Sequence, residues 1–268
     1  QFGGRRDLGE QVITNYIPAV PVKTVVPIEA NTYSSGISFR LRAGMAAYVS
    51  YNESFQPVSG LNAQGNPYKP LMGEGYDAGI KFSFMEGRVS GSVSAFSMDS
   101  VNILRNDPAN PGFRVQSGEE NSKGFEGGVQ LNLKSGLQLT TGYSNMNARV
   151  KSNSDNRALE GTRLVNTPTH SGNFWAKYTV PSGPLQKFRV GVGVIYVGER
   201  SAGGLDPVGI RVPNYTRIDM LLGYETKLFN RRTVFSVNVA NLLDRDYFIS
   251  SGALSAPRMM AGNMSILF

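Results

Sequence analysis

Apolar residues occupy every second position along most of this chain, with polar or small residues between them, which is the period of a β-strand whose two faces differ. Tyr76, Ala78, Ile80, Phe82 and Phe84 alternate with Asp77, Gly79, Lys81 and Ser83. The pattern returns in Val129, Leu131 and Leu133, in Phe174, Ala176, Tyr178 and Val180, and in Phe188, Val190, Val192, Val194 and Tyr196. It closes the chain as Met260, Gly262, Met264, Ile266 and Phe268. A helical period is hardly visible. Breaks rich in Gly, Pro and Asn divide the alternation into about eleven strands. They fall near 33–42, 45–55, 73–84, 88–105, 119–134, 137–150, 168–180, 187–199, 214–227, 232–241 and 257–268. Residues 1–32 depart from the pattern. Pro18, Pro21 and Pro27 cannot sit in a central strand, so this stretch reads as a long loop with an edge-like segment at 22–26.

The connections carry more information than the strands. Short ones, around Ala43-Gly44, Met85 to Gly87, Ser135-Gly136, Pro181 to Gln186 and Leu228 to Asn230, alternate strictly with long polar ones at 56–72, 106–118, 151–167, 200–213 and 242–256. In an antiparallel meander this puts every short turn at one end and every long loop at the other, as in outer-membrane barrels. A soluble sandwich or propeller also alternates. Against it stand strands long enough to cross about 25 Å of hydrocarbon at a tilt, and a polar face dominated by Gly, Ser, Thr, Asn and Gln. The expected fold is therefore all-β, an antiparallel transmembrane meander.

Composition narrows the chemistry. The 268 residues include 31 Gly, one His and no Cys, which excludes disulfides, thiolate metal sites and thiol nucleophiles. The net charge of +7 comes from residues spread thinly, 18% of the chain, so nucleic acid is not an expected partner. No run approaches the 18 or so consecutive apolar residues of a spanning helix. The chain starts at Gln1 without an export signal, so a signal is expected to have been removed or to lie upstream, and an odd strand count implies that earlier strands belong to the same barrel. Near the short turns Arg40, Arg42, Arg88, Lys134, Lys187, Arg189, Lys227, Arg231 and Arg232 outnumber Glu86 and Glu225. This is either a basic rim facing phospholipid headgroups or solvated turn chemistry.

The run Phe235-Ser236-Val237-Asn238-Val239-Ala240-Asn241-Leu242-Leu243-Asp244-Arg245-Asp246-Tyr247, then Pro257-Arg258 and a closing strand ending in Phe268, resembles the C-terminal signature of TonB-dependent outer-membrane receptors, the ferric-siderophore (ferrichrome- or coprogen-like) branch above all. Tyr48 to Pro57, Gly79-Ile80-Lys81, Gly118 to Glu126 and Pro168-Thr169-His170 with Asn173-Phe174-Trp175 agree, over roughly 33–268. The resemblance implies a barrel of about 22 strands closed by an N-terminal plug, importing a ferric siderophore with energy from TonB. This chain would supply about the last eleven strands, without plug or TonB box. The resemblance also makes Phe268 the signal for the barrel-assembly machinery, compatible with an ordinary place in the aromatic belt.

Other chemistry finds little support. His170 follows Pro168 at a strand start with no nucleophile elbow nearby, which favours a structural role. Gly191, Gly193 and Gly198 lie in an alternating strand, so packing explains them better than phosphate binding. Glu119-Glu120, Asp244 and Asp246 lack the spacing of a calcium loop. No catalytic, cofactor or metal residue is expected. A siderophore vestibule needs aromatic surfaces and cations, and the long loops offer Tyr68, Arg114, Arg157, Arg163, Arg200 and Arg211 as ligand contacts, with Phe113 and Tyr215 beside them. Some of these cations could instead meet lipopolysaccharide phosphates. The rival functions are a TonB-dependent receptor for another solute such as cobalamin, a metal chelate or an oligosaccharide, a passive porin, and, last, an outer-membrane hydrolase using His170.

Overall fold

The computed structural model describes residues 1–15, 22–107, 109–153, 156–202 and 209–267. Twelve strands form one antiparallel sheet in which each pairs only with its neighbours along the chain. They are β1 (Phe2–Asn15), β2 (Val22–Arg42), β3 (Met45–Gln56), β4 (Leu71–Phe84), β5 (Val89–Asn106), β6 (Arg114–Asn132), β7 (Leu137–Ser152), β8 (His170–Thr179), β9 (Phe188–Val197), β12 (Tyr215–Leu228), β13 (Arg231–Ala240) and β16 (Met259–Leu267). Two small ladders sit in the loops, β10 (Arg200–Ser201) with β11 (Arg211–Val212) and β14 (Phe248–Ser250) with β15 (Ala253–Leu254). Among the described residues one 3-10 turn, Arg157–Leu159, is the helical content, and no helix is long and apolar enough to cross a membrane.

All eleven expected strands are present, and a twelfth replaces the loop expected at 1–32. β1 pairs along its whole length with the first part of β2, from Phe2 opposite Ser35 to Asn15 opposite Val22. Pro27 sits inside β2, opposite Glu10. It is tolerated because β3 does not pair with β2 until Ser34, opposite Asn52, so the missing N–H faces a side where no ladder is present. Pro18 and Pro21 lie outside the described residues, as does Phe268.

Register keeps the two faces apart. One row across the sheet runs Phe39, Ala47, Ile80, Val93, Gly127, Tyr143, Gly172, Tyr196 and Thr216, each opposite the next through eight pairings. The adjacent row runs Ser38, Tyr48, Gly79, Ser94, Glu126, Ser144, Ser171, Val197 and Tyr215. Directly opposite residues share a face and successive ones do not, so the first row is the apolar face and the second the polar one. The first row enters β2 near its short-turn end and leaves β12 at its long-loop end. That steady stagger is what a tilted barrel wall requires.

Large apolar side chains lie open on the first face: Phe39 is 68% exposed, Ile37 63% and Val93 57%. Among the described residues only Val26, Ala30, Ala148, Val150, Val212 and Val239 are buried apolar residues. The accessible surface, 17008 Å², exceeds the roughly 11,400 Å² expected of a compact chain of this size. A sheet with no interior and one continuous apolar face needs hydrocarbon against it.

The short turns follow their local chemistry. Phe229 and Asn230 both have positive φ, 47° and 62°, as a two-residue type I′ hairpin between β12 and β13 requires. Gly136 has φ 93°, and a Cβ there would lie 2.1 Å from the Thr179 carbonyl, so this turn admits no side chain. The edges of the sheet are β1 and β16, which no ladder joins among the described residues.

The face assignment can be tested in lipid. Val93→Arg places a cation on the apolar face and should lower the folding free energy in vesicles by about 2–4 kcal/mol, whereas Ser92→Arg, one position before it, should change it little. Heat-modifiable mobility and urea titration of the refolded barrel read the difference, and equal effects would refute it.

Candidate functional site

The polar face is lined by small residues, with a few charged groups placed in two bands. Toward the short-turn end Arg40, Lys81, Lys177, Arg189, Lys227 and Arg232 all occupy polar-face positions. The Lys81 ammonium lies 4.5 Å from the centre of the Tyr48 ring. Glu225 is bracketed by Lys187 and Arg232, each at 2.8 Å. The basic rim is thus divided: Arg42 sits over the Phe84 ring on the apolar side at 5.6 Å, while Arg40, Arg189, Lys227 and Arg232 stand on the polar face. Nearer the middle, Asp77 and Glu126 stand on the polar face, and with Asn52, Met98, Glu120 and Met146 they border a groove of about 540 Å³. Arg105 pairs with Glu120 at 2.7 Å.

The glycines of β9 have a packing role. A Cβ on Gly193 would lie 1.9 Å from Trp175 Cε3, and one on Gly191 would lie 3.1 Å from Trp175 Cζ2. The indole, the single Trp of the chain, therefore lies flat across both glycines on the polar face. Gly198 donates its N–H to the His170 carbonyl at 2.8 Å. His170 stands at the long-loop end of β8, its Nδ1 2.7 Å from the Tyr143 hydroxyl and 3.2 Å from Asn145 Nδ2, partners that orient the ring without a nucleophile. Glu119 and Glu120 are drawn to different cations, Lys151 and Arg105. No group of His, Asp and Glu that could hold a metal ion is present among the described residues.

At the long-loop end the structure brings Tyr68 to Arg114, and Arg200 to the strand that carries Arg211, and leaves Arg157 apart from them. The Tyr68 hydroxyl shares its proton between the carbonyls of Leu61 and Arg114, at 3.0 and 3.1 Å, and so ties the loop after β3 to the start of β6. The Arg114 and Arg157 side chains are exposed, while Arg163 and Arg211 are half-buried, Arg211 Nε lying 3.9 Å from Glu199. Arg200 is buried, 3% exposed, and donates to the carbonyls of Phe248 and Ile249 and to Asn166 Oδ1. Tyr215 stacks on Tyr247 with ring centres 4.1 Å apart.

Sequence reasoning missed the group that organises the last long loop. Asn241 is buried with φ 54°; its N–H donates to Asp219 Oδ1 at 2.9 Å and its Nδ2 to the Arg245 carbonyl at 2.9 Å, while its Oδ1 accepts from the Arg245 N–H at 3.1 Å. Arg217 pairs with Asp219 at 2.8 Å beside it. The available signal was an Asn at a strand end, before a turn-rich run, since Asn tolerates the left-handed region and can mimic a backbone turn. Asp77 and Glu126 were legible too, as acids at polar positions in the middle of long strands. The arrangement provides a polar channel wall, an aromatic platform and a crown of tied loops, which suits binding and passage of a solute.

A family model described as TonB dependent receptor-like, beta-barrel, matches residues 2–242. A metal-pseudopaline receptor of Pseudomonas aeruginosa is 34% identical over 219 residues, covering 82% of this chain and 30% of its own length. The ferrichrome outer membrane transporter/phage receptor of Escherichia coli is 27% identical over 250 residues, 93% of this chain and 32% of its own. The crystal structure of the ferric preacinetobactin receptor from Acinetobacter baumannii superposes with a TM-score of 0.81 at 17% identity, over 99% of this chain and 40% of that one. The chain thus spans about a third of the length of the curated relatives it matches.

Two outcomes follow from this geometry. Gly193→Ala should force the indole off its floor, shift the emission of the lone Trp and cost roughly 1–3 kcal/mol, the range for overpacking; unchanged emission would mean that Trp175 does not rest there. In the loop after β5, Asp107 accepts from Ala109 N–H at 2.8 Å and from Asn110 Nδ2 at 2.9 Å. The Asn110 side-chain bond first, then the Ala109 N–H, holds its carboxyl below the ordinary 3.8. A depressed acid stabilises above its ordinary value and loses that contribution as pH falls through the lowered one. Amide exchange at 109–113 should therefore be flat from neutral pH down to about 4 once corrected for intrinsic rates, and accelerate only below that.

Proposed function

Because the chain belongs to the TonB-dependent receptor family of outer-membrane β-barrels, we propose that its sheet forms part of the wall of a receptor that binds a ferric siderophore tightly and passes it through a plugged barrel with energy supplied through TonB. In that setting the apolar face meets lipid, the polar face lines the lumen, the long loops open outward and the short turns face the periplasm. One observation carries the reading: a two-faced register, held across the mid-strand rows from β2 to β12, occurs in a chain that aligns over 93% of its length with a ferrichrome transporter.

No bond is made or broken in such a protein. The exposed Arg114 and Arg157 are assigned to the chelate, as cations able to meet an anionic or carbonyl-rich ligand. Tyr68, Arg163, Arg200 and Arg211 are assigned to the loops that frame it. The rest of the barrel, the plug and its TonB contact belong to the portion of the family plan outside these strands. Lipid and lipopolysaccharide cover the apolar face, and the last strand, β16, leading to Phe268, serves as the signal for the assembly machinery.

A second reading, uptake of a chelate of another metal, is favoured by the 34% identity to the metal-pseudopaline receptor. Both are tested by expressing the full-length receptor in outer membranes and measuring binding and uptake of radiolabelled ferrichrome and of a metal-pseudopaline complex, with and without TonB. Saturable, TonB-dependent uptake of ferrichrome supports the first, and of the other chelate alone the second. A barrel that assembles yet takes up neither, while leaking small solutes, would make it a passive pore.

A further inference from the structure

Arg200 begins the short strand β10 and is 3% exposed, an unusual burial for a guanidinium. Its Nη1 donates to the Ile249 carbonyl at 2.5 Å and to Asn166 Oδ1 at 3.2 Å, and its Nη2 to the Phe248 carbonyl at 2.7 Å. Its guanidinium carbon lies 5.4 Å from the centre of the Tyr215 ring, which in turn stacks on Tyr247. These partners belong to three different loops. Asn166 is in the loop between β7 and β8, Arg200 in the loop between β9 and β12, and Phe248, Ile249 and Tyr247 in the loop between β13 and β16. The first two are also joined by the backbone, Asn166 N–H to Ser201 carbonyl at 2.8 Å. The third is held to them by the guanidinium and the stacked rings.

Among the described residues no carboxylate pairs with Arg200, and its buried Nε has no acceptor. Carbonyl dipoles, one amide and a ring carry the charge instead. Such a contact is directional but not locked, since water can restore each bond the guanidinium gives up.

We infer that Arg200 is a positioning residue that couples these three loops into one unit, so that they engage ligand together and release it together. The coupling stands on geometry alone; its use in ligand capture rests on the receptor reading above. The test uses the full-length receptor in outer membranes, with Arg200→Ala, Arg200→Lys and Asn166→Ala. Proteinase K cleavage is followed separately in residues 153–169, 198–214 and 241–258, and ferrichrome affinity is measured on the same preparations. Arg200→Ala should raise cleavage in all three segments together by about tenfold or more, the scale of losing charge-assisted hydrogen bonds. Affinity should weaken by a similar factor, chiefly through faster dissociation. Lys reaches fewer carbonyls and should rescue partly. Asn166→Ala should loosen the first segment more than the third; should Arg200→Ala fail to assemble, the Lys variant still has to loosen all three segments.

A rise confined to 198–214, or none, would overturn the coupling. Loosened loops with unchanged affinity in a receptor that binds ferrichrome would overturn the role in capture. Loosened loops in a receptor that binds no chelate would sustain the coupling and remove the receptor reading.

Discussion

Everything in this structure depends on the pairing of each strand with its chain neighbours in a register that never exchanges the faces of the transmembrane rows. A wall one sheet thick, with hydrocarbon against one face, has no water there to satisfy an unpaired N–H or C=O. Each backbone donor must find its acceptor on the next strand, and a slip of one residue would turn a whole row of Ile, Val and Phe into the channel. The row from Phe39 to Thr216 shows how strictly this is kept. Irregularities fall near strand ends, as at Arg40/Arg42 and between Ser100 and Leu104.

That constraint explains where charge goes. The tall apolar band leaves the polar face as the place for ionised groups at mid-height, and Asp77 and Glu126 occupy it. It explains the abundance of glycine as well. Where a large side chain such as Trp175 lies along the wall, the neighbouring strand must lack Cβ atoms, and Gly191 and Gly193 provide the floor. In a globular core such a ring would be covered from both sides. Here one side of the ring stays partly open on the polar face.

The meander, the two ends and eleven of the strands were legible because period-two alternation is a direct record of a wall with unlike faces. The first strand was not, because three prolines in residues 18–27 outweighed an alternation that places Leu8, Val12 and Val25 on one face. Proline is excluded by ladders on both sides, and sequence does not show that β2 has one neighbour over that stretch. The loop site was legible only as a list of cations. Whether an Arg meets ligand or carbonyl oxygens depends on where three separate loops cross, and Arg200 and Tyr68 turned inward to hold backbone, while Arg114 and Arg157 stayed outside. Asn241 escaped notice because its importance lies in a positive φ and a reciprocal bond with Arg245, neither visible as composition.

Pairing restricted to chain neighbours has a consequence for how the wall is built. Every ladder closes over a short stretch of chain, so contact order is low for a β-protein of this length, and the loop-closure entropy of each step is small. No strand has to wait for a distant partner. Hairpins can be added to a growing edge one at a time, each completed before the next is needed, and the one long-range closure a barrel requires is deferred to the final joining of its two edges.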